Sequence, residues 1–73
     1  MGEENRSNLV RKYRRWAELS QADLAVAVGV SRQTIANIER GNYSPSVYLA
    51  LGICKVLGKT VEEIFDSTAE EGE

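Results

Sequence analysis

The sequence predicts an all-α fold of five short helices, on three observations. Apolar residues recur at helical spacing along most of the chain, and no segment shows the period-two alternation of a half-buried strand. Ser, Thr, Gly and Pro also fall at intervals that suit helix starts and stops. At 73 residues the chain has room for one domain and one modest core.

The first helix is expected over about 7–17, where Val10, Tyr13, Arg14 and Ala17 share one face. The second opens at Ser20, an N-cap followed three residues later by Asp23, turns Leu24, Ala25 and Val28 inward and stops at Gly29. The third opens at Ser31, runs to Arg40 and ends at Gly41. Two capped helices joined by about three residues that include Gly have the spacing of a helix-turn-helix, though many helical hairpins share it. Ser44 as N-cap and Pro45 at the first helical position start a fourth helix, which ends at Gly58. Thr60 and Glu63 form a capping box for a last short helix, with Val61, Ile64 and Phe65 spaced i, i+3, i+4. The domain is expected over 7–66, between a flexible N-terminus (1–6) and an acidic, disordered tail (67–73).

Composition narrows the function. There is no histidine, so the commonest metal ligand and the commonest general base are both missing. Cys54, the single cysteine, sits in an apolar run and reads as a small buried hydrophobe rather than a reactive thiol. Glu62 and Glu63 are adjacent, so on a helix they point about 100° apart and do not share a site. No enzyme activity, metal, cofactor or small-molecule ligand is expected. No stretch approaches the roughly 20 apolar residues of a bilayer span, and 1–7 lacks the apolar segment of a signal peptide. A soluble cytoplasmic protein with no membrane partner is expected.

Net charge is −2, which alone argues against a nucleic-acid partner, but the charge is segregated. Residues 6–60 carry all nine Lys and Arg against Glu18, Asp23 and Glu39, while 61–73 carry six acids. The central body is therefore basic, either as an ordinary solvated surface or as one that neutralises phosphates. On a 3.6-residue wheel the third helix turns Ile35, Ile38 and Glu39 inward and Gln33, Ala36, Asn37 and Arg40 outward. Gln and Asn carry the paired donor and acceptor that match adenine's major-groove edge. Ala36 is small enough to let the helix sit deep or to touch a thymine methyl, and Arg32 can reach guanine or phosphate. The plain alternative is a polar helix face of the kind found on any soluble protein.

The segment LSQADLAVAVGVSRQTIANIERGNYSPS, continued by LALGICKVLGKTVEEIF, resembles the lambda-repressor and Cro-like (XRE) helix-turn-helix regulators over about residues 9–65. Ser20-Gln21, Leu24-Ala25, Gly29-Val30-Ser31, Ile38-Glu39, Gly41 and Pro45 carry the resemblance. It implies a five-helix DNA-binding domain and a transcriptional regulator, most often a repressor, acting as a homodimer on a near-palindromic duplex operator. Glu18, where the family often has Gly, and Gly52, inside the fourth helix, depart from the pattern.

Base-reading contacts are then expected from Arg32, Gln33, Ala36 and Asn37. Phosphate contacts are expected from Gln21, which matches a phosphate-binding glutamine of the family, and from Thr34, Arg40, Asn42, Tyr43 and Ser44, with Tyr43 equally suited to the core. Arg14 and Glu39 lie on otherwise apolar faces and are expected to pair in the interior, unless both emerge solvated at the domain edge. The fourth helix is apolar nearly all round, so Tyr48, Leu51 and Val56, with Val61 and Phe65, are expected to form a dimer interface rather than scattered surface residues. The alternative function is a helix-turn-helix interaction module, such as an antitoxin subunit or coactivator.

Overall fold

The structure, a computed structural model, describes residues 8–65. The expected N-terminal segment 1–6, a helix start at Ser7, and the tail 67–73 lie outside the described residues. Five α-helices follow one another: α1 (Val10–Trp16), α2 (Gln21–Val28), α3 (Arg32–Arg40), α4 (Val47–Leu57) and α5 (Val61–Phe65).

Local chemistry accounts for most boundaries. Ser20 Oγ accepts the Asp23 N–H at 2.9 Å while the Asp23 carboxylate accepts the Ser20 N–H, so a capping box opens α2. Thr60 and Glu63 repeat that exchange at α5. The backbone N–H of Ser20 and of Thr60 are the largest causes holding the Asp23 and Glu63 carboxyls below their usual range. Folded-state pKa values below the unfolded ones mean that both caps contribute at neutral pH and weaken as pH falls below about 4.

Two boundaries differ from the sequence reading. Helix α1 starts at Val10 rather than near residue 7, because Asn8 Oδ1 accepts the Val10 N–H at 3.1 Å. Its inward face also stops earlier, and Ala17 is exposed. Helix α4 is capped by Ser46, whose Oγ accepts the Leu49 N–H at 3.1 Å, and not by Ser44. Pro45 therefore precedes the cap, and its ring disfavours helical backbone at Ser44.

The α2–α3 turn is built from three residues with three tasks. Gly29 takes the left-handed conformation (φ 78°), Val30 returns its N–H to Ala25 O and packs on the core, and Ser31 caps α3 through the Thr34 N–H. The end of α1 is made in the same way, with Leu19 N–H bonded to Arg14 O, but its left-handed residue is Glu18 (φ 62°). A side chain there costs roughly 1 kcal/mol that glycine does not.

Val10, Leu24, Ile35, Ile38, Ile53 and Ile64 are fully buried, one or two from each helix, and each contributes about 1.5–3 kcal/mol. Cys54 joins them; burial, reinforced by Glu62 and Glu63, pushes its thiol up, away from the reactive thiolate. Gly52 faces Val28, and a Cβ there would lie 3.7 Å from Val28 Cγ1, an ordinary contact. Gly52→Ala is thus expected to stabilise the domain by about 0.5–1 kcal/mol through helix propensity, read as a raised denaturant midpoint at unchanged slope; a lowered midpoint would show that α2 and α4 need the glycine.

Candidate nucleic-acid interface

Helix α3 has two faces with different tasks. Ile35 and Ile38 anchor it in the core, while Gln33 and Arg40 are exposed and Asn37 is half-buried on the opposite side. The exposed side chains form a row in which Gln33 Nε2 donates to Asn37 Oδ1 at 3.2 Å and Arg40 Nη2 donates to the same oxygen at 3.0 Å. Asn37 Oδ1 is thereby engaged twice, and its amide group donates to no partner among the described residues.

Ala36 does not lie where the wheel puts it. It is 5% exposed and sits on the flank toward α1 and α2, in a cavity shared with Gln21, Glu39 and Arg40. It borders the outer row rather than standing in it, with little of its methyl exposed. Thr34 is half-buried, and its hydroxyl is 3.0 Å from Ser31 Oγ. Asn42, Tyr43 and Ser44 are exposed beyond the C-terminus of α3, Tyr43 at 47%, so its ring is largely outside the core.

Behind the row lies a charged contact. Arg14 Nε donates to Glu39 Oε2 at 2.7 Å and Nη2 to Oε1 at 3.3 Å, with side chains 11% and 4% exposed. The third guanidinium nitrogen, Nη1, donates to Leu19 O at 2.7 Å. Gln21 Nε2 donates to Glu39 Oε1 at 3.1 Å, and Arg32 Nη1 reaches Gln21 Oε1 at 3.4 Å. An unbroken string of polar contacts therefore runs from α1 through α3 to Gln21 at the start of α2 and on to Arg32 at the start of α3. The bond that joins Gln21 to Glu39 is not legible in the sequence, because their 18-residue separation carries no local signal.

A helix-turn-helix family model matches residues 10–64. The chain belongs to the helix-turn-helix family. An uncharacterized HTH-type transcriptional regulator of Methanocaldococcus jannaschii is 50% identical over 58 residues, 80% of this chain and 88% of that protein. The uncharacterized HTH-type transcriptional regulator YgzD of Bacillus subtilis is 47% identical over the same shares. Among solved structures, this helix-turn-helix fold is similar to the restriction-modification controller protein C.AhdI of Aeromonas hydrophila (TM-score 0.69, 30% identity, 74% of this chain and 82% of that one). It is also similar to the clp gene regulator ClgR of C. glutamicum (TM-score 0.73, 26% identity, 88% and 83%).

Removing one member of the buried pair leaves the other charge without compensation, at a cost of about 3–5 kcal/mol. That is a large part of the stability of a small domain, typically about 5–15 kcal/mol. Glu39→Ala is therefore expected to lower the thermal midpoint sharply and to leave a substantial unfolded fraction by circular dichroism; a wild-type midpoint would mean that Arg14 is solvated without its partner.

Proposed function

We propose that this chain is a transcriptional regulator that binds double-stranded DNA sequence-specifically, as a homodimer on a near-palindromic operator, and represses by occupying it. The observation that carries this reading is the exposed Gln33–Asn37–Arg40 row on a helix whose other face is fixed in the core. Such a helix can enter the major groove as a rigid body, with its amide groups directed at base edges. The regulators to which the chain is similar support the same reading.

In this reading Gln33 and Asn37, with Arg32 beside them, read bases, while Gln21 and Arg40, flanked by Thr34, Asn42, Tyr43 and Ser44, meet phosphates. A paired contact to adenine requires Asn37 Oδ1 to exchange its two intrahelical donors for the base, whereas donation through its amide group requires no rearrangement. Gln33→Ala or Asn37→Ala is expected to cost about 1–3 kcal/mol at the cognate site and to relax preference at one base pair per half-site. Arg40→Ala is expected to weaken cognate and random duplexes alike and to flatten the salt dependence. Selection from a random duplex library, with titrations at several salt concentrations, checks both; an unchanged preferred sequence in both amide variants would contradict the base-reading assignment.

The dimer rests on apolar surface. Tyr48 is 87% exposed, Leu51 and Val56 on α4 and Val61 on α5 are also exposed, and Phe65 is half-buried against the core. Joined by a two-fold axis, these residues form one self-complementary patch, and two α3 helices then lie about 34 Å apart, one turn of DNA. The same apolar surface favours the second reading, an interaction module such as an antitoxin subunit or coactivator. No duplex binding even at low salt would select that reading. Sedimentation at micromolar concentration is expected to give twice the 8.1 kDa chain mass; a monomer both with and without duplex would exclude the homodimer.

A further inference from the structure

We propose that the cluster of cations and aromatic rings formed by Lys12, Tyr13, Trp16 and Lys59 is a docking surface for the chain's own acidic segment, residues 66–73. Tyr13 packs against the core and meets Trp16 edge-on, with ring centroids 5.3 Å apart. Lys12 Nζ lies 5.0 Å from the Trp16 ring centroid and 5.6 Å from that of Tyr13, and Lys59 Nζ lies 4.9 Å from the Tyr13 centroid. Trp16 is nevertheless 67% exposed, and neither lysine pairs with a carboxylate among the described residues. None of the four residues lines the cavity between α1, α2 and α3 or belongs to the α3 row, so the DNA-binding reading leaves this surface unused.

Charge and reach select the occupant. Residues 66–73, DSTAEEGE, carry Asp66, Glu70, Glu71 and Glu73 and no base. The Leu9 N–H donates to Ile64 O at 2.8 Å, so the end of α5 delivers the chain beside the start of α1. Trp16 lies about 10 Å further along α1 at the rise of an α-helix, whereas residues 66–70 span up to about 16–18 Å when extended. Glu70 and Glu71 therefore come within reach of the lysines. An ammonium seated on a ring keeps N–H donors for a carboxylate, and covering it from water strengthens its attraction to the ring. Glu3 and Glu4, the acids before α1, form a competing occupant with half the number of charges.

Trp16 is the only tryptophan, so its fluorescence in the full chain reports on this surface alone. Acrylamide, a neutral quencher, is expected to quench the wild type at most about half as strongly as a variant carrying Asp66→Asn, Glu70→Gln, Glu71→Gln and Glu73→Gln, and the difference should vanish at about 1 M salt, where the Debye length is about 3 Å. Glu3→Gln with Glu4→Gln should leave quenching at the wild-type value. With Cys54 buried, a spin label can be placed on a Gly72→Cys variant. It should broaden the Trp16 indole N–H signal of its own chain, while isotope-enriched chains without a spin label, mixed in, should keep a sharp signal. Equal quenching of the wild type and the variant with the neutralised segment, or an effect produced by Glu3 and Glu4 instead, would overturn the proposal. Broadening in the chains without a spin label would assign the contact to a second copy and overturn it as well.

Discussion

The contact between Arg14 of α1 and Glu39 of α3 governs more of this molecule than its two side chains suggest, because each also holds backbone or polar groups elsewhere. Arg14 donates to Leu19 O, its own carbonyl accepts the Leu19 N–H, and so the turn that delivers the chain to α2 is fixed from both sides. Glu39 accepts Gln21, and Gln21 accepts Arg32. One ion pair thereby sets the entry of α2, the placement of the first residues of α2 and α3, and the relation of α1 to both. Glu18, in left-handed backbone between Arg14 and Leu19, is held there by these bonds against its own preference.

A buried ion pair is a poor source of stability, since desolvation of the two charges offsets most of their attraction. The fully buried aliphatic side chains carry the folding free energy far more effectively. What the pair provides is direction. An apolar contact tolerates sliding, whereas a two-nitrogen, two-oxygen contact accepts a narrow range of geometries. The polar string ends at Gln21 and Arg32, at the edge of the exposed α3 row, so that geometry is passed outward to the surface proposed to meet DNA.

Much of the fold was legible in the sequence because its signals are local. Ser20 with Asp23, Ser31, Thr60 with Glu63, and the glycines at 29, 41 and 58 mark helix ends through bonds made within three to five residues. Ser44 and Ser46 show the limit of that code: both precede the same apolar run, and only the folded chain decides that Ser46 caps it. The start of α1 is not legible locally, because Asn8 works at long range, its amide donating to Ile38 O in α3 while its oxygen accepts the Val10 N–H. The wheel likewise located Ile35 and Ile38 but misjudged Ala36, since a residue on the border between faces is buried or exposed according to which neighbours reach over it. The Gln21–Glu39 bond and the cavity beside it exist only once three helices are assembled.

If the buried pair orients the surface proposed to meet DNA rather than stabilising the fold, the double substitution Arg14→Met with Glu39→Met separates the two roles. Replacing both charges by apolar side chains of similar length leaves no orphaned charge, and such replacements are often neutral or stabilising. The expected result is a thermal midpoint near or above wild type together with a duplex affinity at least about tenfold weaker, roughly 1.4 kcal/mol, because Gln21 loses its anchor. A doubly substituted protein that is equally stable and binds duplex with wild-type affinity would contradict it.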